Sequence, residues 1–415
     1  MILEVENQAP VVVGVSSESE HKGVSPFSPL TTLATETLFL LGTGAFGIMS
    51  VVQQGSNFDV LKYVTLTTGG SLLLLLVANR VSNAGKKEEK QISREKLIVI
   101  VTGCDSGLGY NIARLCHRLG FVVFACCLNK ESEGAKLLQK SAENDSNRLH
   151  VEQLNITLEE SVLMVNKSVK TFLENNPSFE LFALVNNAGV MCFGEFEWQL
   201  NEHIAQQINV NLLGTMRVTK SFLPLLRKYR GKLINVTSHC ALQALPGIST
   251  YAATKAALRF WTDSLRMEMS CYGVRVIDFI PGSLVMQTNL CGRQNQYAAQ
   301  MRAGFNAEQL EFYGSYFDEY NAYLRVVGDA KPVQNLPDDH EVLRKFSDAI
   351  TNERPKRLYK CEPWRYRVYH WLFCITPTPV RDWLVRRFIA MPEYRPVEKR
   401  VGGSDASNRC PPTGN

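Results

Sequence analysis

No two cysteines of this chain stand at C-x-x-C spacing, which removes zinc-ribbon and thioredoxin-type readings. The 11 cysteines are an odd number, scattered from Cys104 to Cys410 and mostly inside apolar runs, as buried thiols are. They point to a reducing compartment rather than a disulfide framework, and no metal site is expected. No stripe of Arg and Lys interleaved with aromatics occurs, and the net charge is only +5 over 415 residues. Nucleic acid is therefore not an expected partner. The first 30 residues lack the basic start of a signal peptide. Glycosylation-type triplets at Asn155, Asn166 and Asn235 fall on predicted strand ends or a helix and are read as coincidental.

What is present begins with two apolar stretches after a polar segment, 1–32. They are "LATETLFLLGTGAFGIMSVV" (33–52) and "VLKYVTLTTGGSLLLLLVA" (60–78). Each has about the ~20 residues needed to cross a bilayer, and each is rich in Gly and Thr. "SLLLLLVA" has no amphipathic period, so a membrane anchor over 33–82, with one or two crossings, is the expectation. A buried helical hairpin in a soluble domain is the alternative. The basic linker 83–94 belongs on the cytoplasmic side by the positive-inside rule, which places the rest of the chain in the cytosol.

From residue 96 short β-branched or apolar runs alternate with helical patterns. Strands are predicted at 96–102, 121–127, 148–154, 181–186, 231–237 and 274–280. Helices are predicted at 107–119, from about 131, to about 174, and at about 200–228 and 250–271. Continuously apolar strands alternating with helices mean a parallel sheet covered on both faces. The fold class is α/β, doubly wound, with its ligand site at the carboxyl ends of the strands. Beyond 283 the alternation is expected to stop. A helical, aromatic region lies near 306–326. The basic, aromatic segment 364–388 reads as helices at a membrane interface or a substrate lid, or else as ordinary packing. The expected organisation is a doubly wound sheet domain over 95–330, a helical region over 331–395 and a disordered tail, 396–415.

The first strand runs into "TGCDSGLG", with Gly103, Gly107 and Gly109 in a strand-to-helix turn. Such a turn lets a pyrophosphate approach bare backbone at a helix N-terminus. "NNAG" (186–189) follows the fourth strand, "INVNLLGT" places Asn211 on the next helix, and "PG" (281–282) follows the sixth strand. Ser238 stands thirteen residues before Tyr251, and Lys255 four after it, in "STYAATKAAL". On a helix that last spacing puts a phenol and an ammonium on one face. Alone the pair reads equally well as a surface accident.

Together and in this order the motifs resemble the short-chain dehydrogenase/reductase family over about 95–330, more weakly to about 390. "GFVVFACCLN" and "FLPLLRKYRGKLINVTS" are most similar to its membrane-bound type 2 17-beta- and 11-beta-hydroxysteroid dehydrogenases and retinol dehydrogenases, with 3-hydroxybutyrate dehydrogenases as near relatives. The resemblance implies a Rossmann-type fold and a catalytic set of Asn211, Ser238, Tyr251 and Lys255. Tyr251 is then the acid–base, with Lys255 expected to lower its pKa from the ~10 of a free phenol and to bond the nicotinamide ribose. Ser238 would hold the substrate oxygen, and Asn211 would support a water beside Lys255. Cofactor contacts are expected from Thr102, Gly103, Asp105, Ser106, Gly107, Leu108, Gly109, Asn129, Asn155, Asn187, Ala188, Gly189, Pro281, Gly282 and Thr288.

Asp105 stands where NADP-preferring relatives place a basic residue, and its charge would repel a 2′-phosphate, so NAD is expected. Lys130 leaves NADP as the alternative. Two departures from the family pattern stand out. Asn155 replaces an Asp beside the adenine, its amide able to donate and accept there. Met286 stands at the usual Thr position after "PG", leaving Thr288 to reach the nicotinamide amide. The function implied is NAD-dependent interconversion of a lipophilic, steroid-like secondary alcohol and its ketone. The alternatives are a retinol, hydroxy-fatty-acid or 3-hydroxybutyrate-type dehydrogenase, or a non-catalytic dinucleotide-binding scaffold. The expected setting is the endoplasmic reticulum membrane, with a mitochondrial membrane as second choice. The expected partners are a lipophilic small molecule and the membrane, with a homodimer allowed.

Overall fold

The computed structural model describes residues 94–143, 147–285, 287–329, 335–389 and 391–394, together with Gly70. The chain divides into a unit comprising Ile92–Asn415 with Met1–Val5, and a second, Glu6–Gln91, in which only Gly70 is described. The expected anchor 33–82, apart from Gly70, and the tail 396–415 lie outside the described residues. Among the described residues no helix is long and apolar enough to cross a membrane.

The predicted strands form. They are β1 Leu97–Thr102, β2 Val122–Cys127, β3 Leu149–Gln153, β4 Glu180–Asn186, β5 Lys232–Val236 and β6 Arg275–Ile280. The helices are α1 Gly107–Arg118, α2 Glu133–Glu143, α3 Glu159–Asn175, α4 Asn201–Ile208, α5 Thr215–Tyr229 and α6 Ser249–Ser270. They are followed by α7 Gln294–Gly304, α8 Ala307–Gly328, α9 Glu341–Thr351, a strand β7 Leu358–Lys360, α10 Trp364–Ile375 and α11 Thr378–Ile389. All seven strands are parallel, in the order β3-β2-β1-β4-β5-β6-β7. Val101 pairs with Ala125 on one side and Val185 on the other, so the turns after β1 and β4 leave the sheet side by side. The strand order reverses about β1, and a crevice opens there at the carboxyl ends.

The pleat sends alternate residues of β1 to opposite faces. Val99 and Val101 join the core with α1 and α9, while Ile98 and Ile100 join the core with α3 and α5. Both faces are buried, which is why these strands read as continuous apolar runs. Asn235 and Asn166, of the glycosylation-type triplets, are buried as well.

Two expectations are corrected. The alternation does not end at 283: α9 packs Phe346 against Phe279, and β7 adds a seventh strand beside β6. The helix predicted over 200–228 is not continuous either. A π-helical segment, Asn209–Gly214, separates α4 from α5. Such segments are rare and often fall at functional sites, and this one carries Asn211, whose amide bonds to Val190 and Thr254.

Candidate active site

The site begins where β1 ends. Thr102 Oγ1 accepts the N–H groups of Asn187 and Ala188 at 3.0 and 3.1 Å, and Asn187 Nδ2 donates to the carbonyls of Thr102 and Gly103. These bonds lock the "NNAG" turn to the Gly-rich turn. Gly103 has φ +73°, and a Cβ there would lie 2.8 Å from Ala188 Cα. A Cβ on Gly109 would lie 2.1 Å from Gly103 O. The turn therefore tolerates only bare backbone. Ser106 caps α1 in extended conformation without a side-chain hydrogen bond, so its first N–H groups remain open to an anion.

Asp105 does more than carry charge. Its carboxylate accepts the N–H groups of Leu128 and Asn129 at 2.9 and 2.8 Å, fixing the loop after β2. Asn155 is more restricted than expected. Its Oδ1 accepts both the N–H and the hydroxyl of Thr157, so only its Nδ2 is left to donate to an adenine. Thr288 lies over Gly107, whose Cβ would stand 2.9 Å from Thr288 Cα, and its hydroxyl donates to Leu284 O. It therefore sits at the Gly-rich turn.

α6 carries Tyr251 and Lys255 to the end of β5. Both are buried, at 4% exposure each, and Lys255 Nζ is 5.8 Å from the Tyr251 ring centroid. Lys255 Nζ donates to Val236 O at 3.0 Å, which leaves two of its donors for other partners. Burial pushes the ammonium down to about 8, with Asp278 pulling it back up. Burial also pushes the Tyr251 phenol above its ordinary range, opposed by a hydrogen bond with Ser238. The phenol is thus raised by burial, where the sequence led to the expectation that Lys255 would lower it.

Asn211 is fully buried, and both its amide donors are taken by the protein. Oδ1 accepts from Val190 N at 2.8 Å, while Nδ2 donates to Val190 O and to Thr254 Oγ1. Gly189 separates it from Lys255: a Cβ on Gly189 would lie 3.3 Å from Asn211 Oδ1 and 3.6 Å from Lys255 Nζ. Ser238 begins the turn after β5, its Oγ accepting the Cys240 N–H.

One cleft of about 860 Å³ is lined by the predicted residues from all these turns, except that Thr102, Gly107 and Asn211 stand behind its wall. Its other part is lined by Met191, Phe193, Ile248, Leu290 and Tyr297, with Gln206 and Arg293. Sequence reasoning missed Asp278, which accepts from Thr237 Oγ1 and pairs with Arg259. The available signal was an acid inside the apolar strand "VRVIDFI". It also missed His239, which lines the cleft, and Glu362, which bonds to it.

A model of the short chain dehydrogenase family matches residues 97–297. D-beta-hydroxybutyrate dehydrogenase, mitochondrial, of Bos taurus is 36% identical over 280 residues, 66% of this chain and 78% of that protein. Estradiol 17-beta-dehydrogenase 2 of Rattus norvegicus is 32% identical over 305 residues, 73% and 77% of the two chains. Retinol dehydrogenase 7 of Mus musculus is 32% identical over 285 residues, 68% and 86%. The crystal structure of a short-chain dehydrogenase from Streptomyces avermitilis has a TM-score of 0.51 at 22% identity, covering 71% of this chain and 97% of that one. That last likeness concerns the fold alone.

Proposed function

Because the chain belongs to the short chain dehydrogenase family, we propose that it interconverts a lipophilic secondary alcohol and its ketone, using NAD. A nicotinamide dinucleotide fits the cleft's construction. Bare glycine backbone meets an α1 N-terminus whose donors no side chain takes, and Lys255 keeps free donors at the far side of the "NNAG" turn. Bound there, the dinucleotide supplies the hydride acceptor or donor. Every other task falls to this chain's side chains.

Ser238 holds the substrate oxygen by hydrogen bond. Tyr251 exchanges the proton of that oxygen. Its burial keeps it a neutral phenol, so it already holds the proton a ketone oxygen must receive and has to lose that proton before it can accept one from an alcohol. Lys255 orients the ribose and lends positive charge to the phenolate when one forms. Asn211 holds Val190 and Thr254 in place around that ammonium. Asp105 favours NAD over NADP by charge.

The observation that carries the proposal is Ser238, Tyr251 and Lys255 in one cleft with an apolar lining from Met191, Phe193, Ile248 and Leu290. The apolar lining suits a steroid- or retinoid-like body, in keeping with the names of two relatives. A second reading has its own support. Arg293 lines the cleft, and a guanidinium suits the carboxylate of a short hydroxy acid, the substrate named for another relative. The test is the absorbance of reduced nicotinamide with a panel of steroids, retinol and 3-hydroxybutyrate, each with NAD and with NADP. Dinucleotide binding without turnover of any alcohol would favour a scaffold instead.

The apolar stretches at 33–52 and 60–78 and the basic linker support a place at the endoplasmic reticulum membrane, with the catalytic unit in the cytosol. α10 adds support, since Trp364, Val368, Trp371 and Ile375 fall on one exposed helical face.

A further inference from the structure

Behind the catalytic serine lies a buried cluster that joins His239, inside the family match, to Glu362 and His370, which lie beyond its end at residue 297. His239, the residue after Ser238, places Nε2 at 2.8 Å from Glu362 Oε1. His370, on α10, places Nδ1 at 3.0 Å from the same oxygen. His239 and Glu362 are each 5% exposed. Burial alone would raise the Glu362 carboxyl, but hydrogen bonds from the two imidazoles hold it below the usual carboxylate range. The residues around it come from three directions: His239 from the turn after β5, Lys360 and Glu362 from the end of β7, and His370 from α10.

Two histidines and a carboxylate are also a ligand set for a metal ion, and their donor atoms lie within 4.8 Å of one another. Lys360 argues against that use. Its Nζ lies 3.8 Å from Glu362 Oε1, so an ammonium already shares the oxygen a cation would need. One oxygen receiving two imidazole N–H groups beside a lysine is a hydrogen-bonded anion.

The segment that carries Glu362 also braces the other turn of the site. Cys361 N donates to Ile280 O at 2.9 Å. Gly282 has φ +87°, and a Cβ there would lie 2.5 Å from Cys361 O. Residues 360–362 therefore press on the Pro281–Gly282 turn and, through His239, on the Ser238 turn. Ser238 stays extended at φ −158°, with its Oγ accepting from Cys240 in the same short turn that His239 opens. A shift of His239 moves that turn, and the serine hydroxyl with it.

We propose that Glu362 is a positioning residue for Ser238, acting through His239, so that the C-terminal segment beyond the family match completes the catalytic machinery. This rests on the dehydrogenase reading above. The family model's match ends at residue 297, whereas Glu362 lies 123 positions after His239. The acid that sets the serine thus comes from beyond the matched segment.

The experiment is a double-mutant cycle on the full chain, with Glu362→Ala and Ser238→Ala alone and combined, reading kcat, KM for the alcohol and dinucleotide affinity. Glu362→Ala is expected to lower kcat roughly ten- to a hundredfold, the scale of a small misplacement in a site, with dinucleotide affinity held within about twofold. In the Ser238→Ala background the same change should lower kcat less than about twofold, because its target is gone. Glu362→Gln keeps an acceptor oxygen for both imidazoles and should restore most of the rate. Should Glu362→Ala not fold, His239→Leu cuts the same bond while leaving the carboxylate paired with His370 and Lys360, and is read in the same cycle. Additive losses in the cycle would overturn the proposal, as would an unchanged kcat. So would stoichiometric metal in the purified chain whose chelation abolishes turnover. A wild-type chain inactive on every alcohol, or one indifferent to Ser238→Ala, would instead sink the dehydrogenase reading itself.

Discussion

Asp105 Oδ1 accepts the backbone N–H of Asn129 at 2.8 Å, and its second oxygen accepts that of Leu128. One carboxylate thus holds the loop after β2 and places negative charge at the dinucleotide end of the cleft. Asp105→Arg would lose both bonds along with the charge. Asp105→Asn is the cleaner test, since it keeps an acceptor oxygen and removes the charge. The ratio of catalytic efficiencies with NAD and NADP is expected to shift toward NADP by roughly tenfold, the equivalent of about 1.4 kcal/mol. A ratio that does not move would leave the choice to Lys130 or the backbone.

Tyr251→Phe removes one hydroxyl from a ring whose packing persists. Turnover is expected to fall roughly 100- to 10,000-fold, the usual worth of a positioned acid–base, with the melting temperature little changed. In the unaltered chain, burial raises the phenol, so alcohol oxidation should climb as pH rises through the alkaline range. Ketone reduction should not show that climb. Oxidation rates that are flat with pH, measured where hydride transfer limits the rate, would remove Tyr251 from proton exchange.

Much of this was legible in the sequence, and the part that was not has physical causes. The strands were readable because both faces of the sheet are buried, and the Gly-rich turn because no side chain fits there. β7 was missed because "LYK" is a short edge strand with only Tyr359 buried. The π-segment was missed because tertiary bonds from Asn211 to Val190 and Thr254, rather than local propensity, surround it. The raised Tyr251 phenol was missed because spacing reveals a neighbouring ammonium but not the depth of burial. Glu362 could not be paired with His239 by spacing, since only the sheet brings them together.

Lys255→Met should stabilise the dinucleotide-free chain while abolishing turnover. Burial lowers Lys255 from 10.5 to about 8, so below about 8 the folded chain carries a buried charge that the unfolded chain solvates. That penalty is on the order of 3 kcal/mol, and the lost bond to Val236 offsets about 1 kcal/mol. Denaturant titration at pH 7 should show a gain of about 2 kcal/mol. The unfolded chain binds more protons between about 8 and 10.5, so the unaltered chain gains stability with pH there and the difference should shrink. A variant less stable than the parent at pH 7 would mean that Lys255 is not desolvated as its burial implies.

The membrane reading is tested in two parts, because two features support it. Deleting residues 1–82 should release the chain from carbonate-resistant attachment while preserving dinucleotide binding, since no cofactor motif precedes Thr102. Protease added outside sealed microsomes should reach residues 95–415 of the full chain. The truncated chain should still bind vesicles containing anionic lipid, and high salt should weaken that binding. α10 exposes Trp364 and Trp371, at 72% and 61%, and α11 exposes Trp383 at 61%. Arg365, Arg367, Arg386 and Arg387 flank them, with Asp382 as the one acid on the two helices. Aromatics at the headgroup level beside arginines attracted to anionic lipid are the ingredients of interfacial binding. Trp371→Glu puts a charge in the middle of that face, where it should cut vesicle binding without altering turnover of a water-soluble alcohol. Loss of turnover with vesicle binding intact would assign the face to the catalytic unit's own packing. Release of the full chain by carbonate would remove the spanning anchor and leave α10 and α11 as the membrane contact.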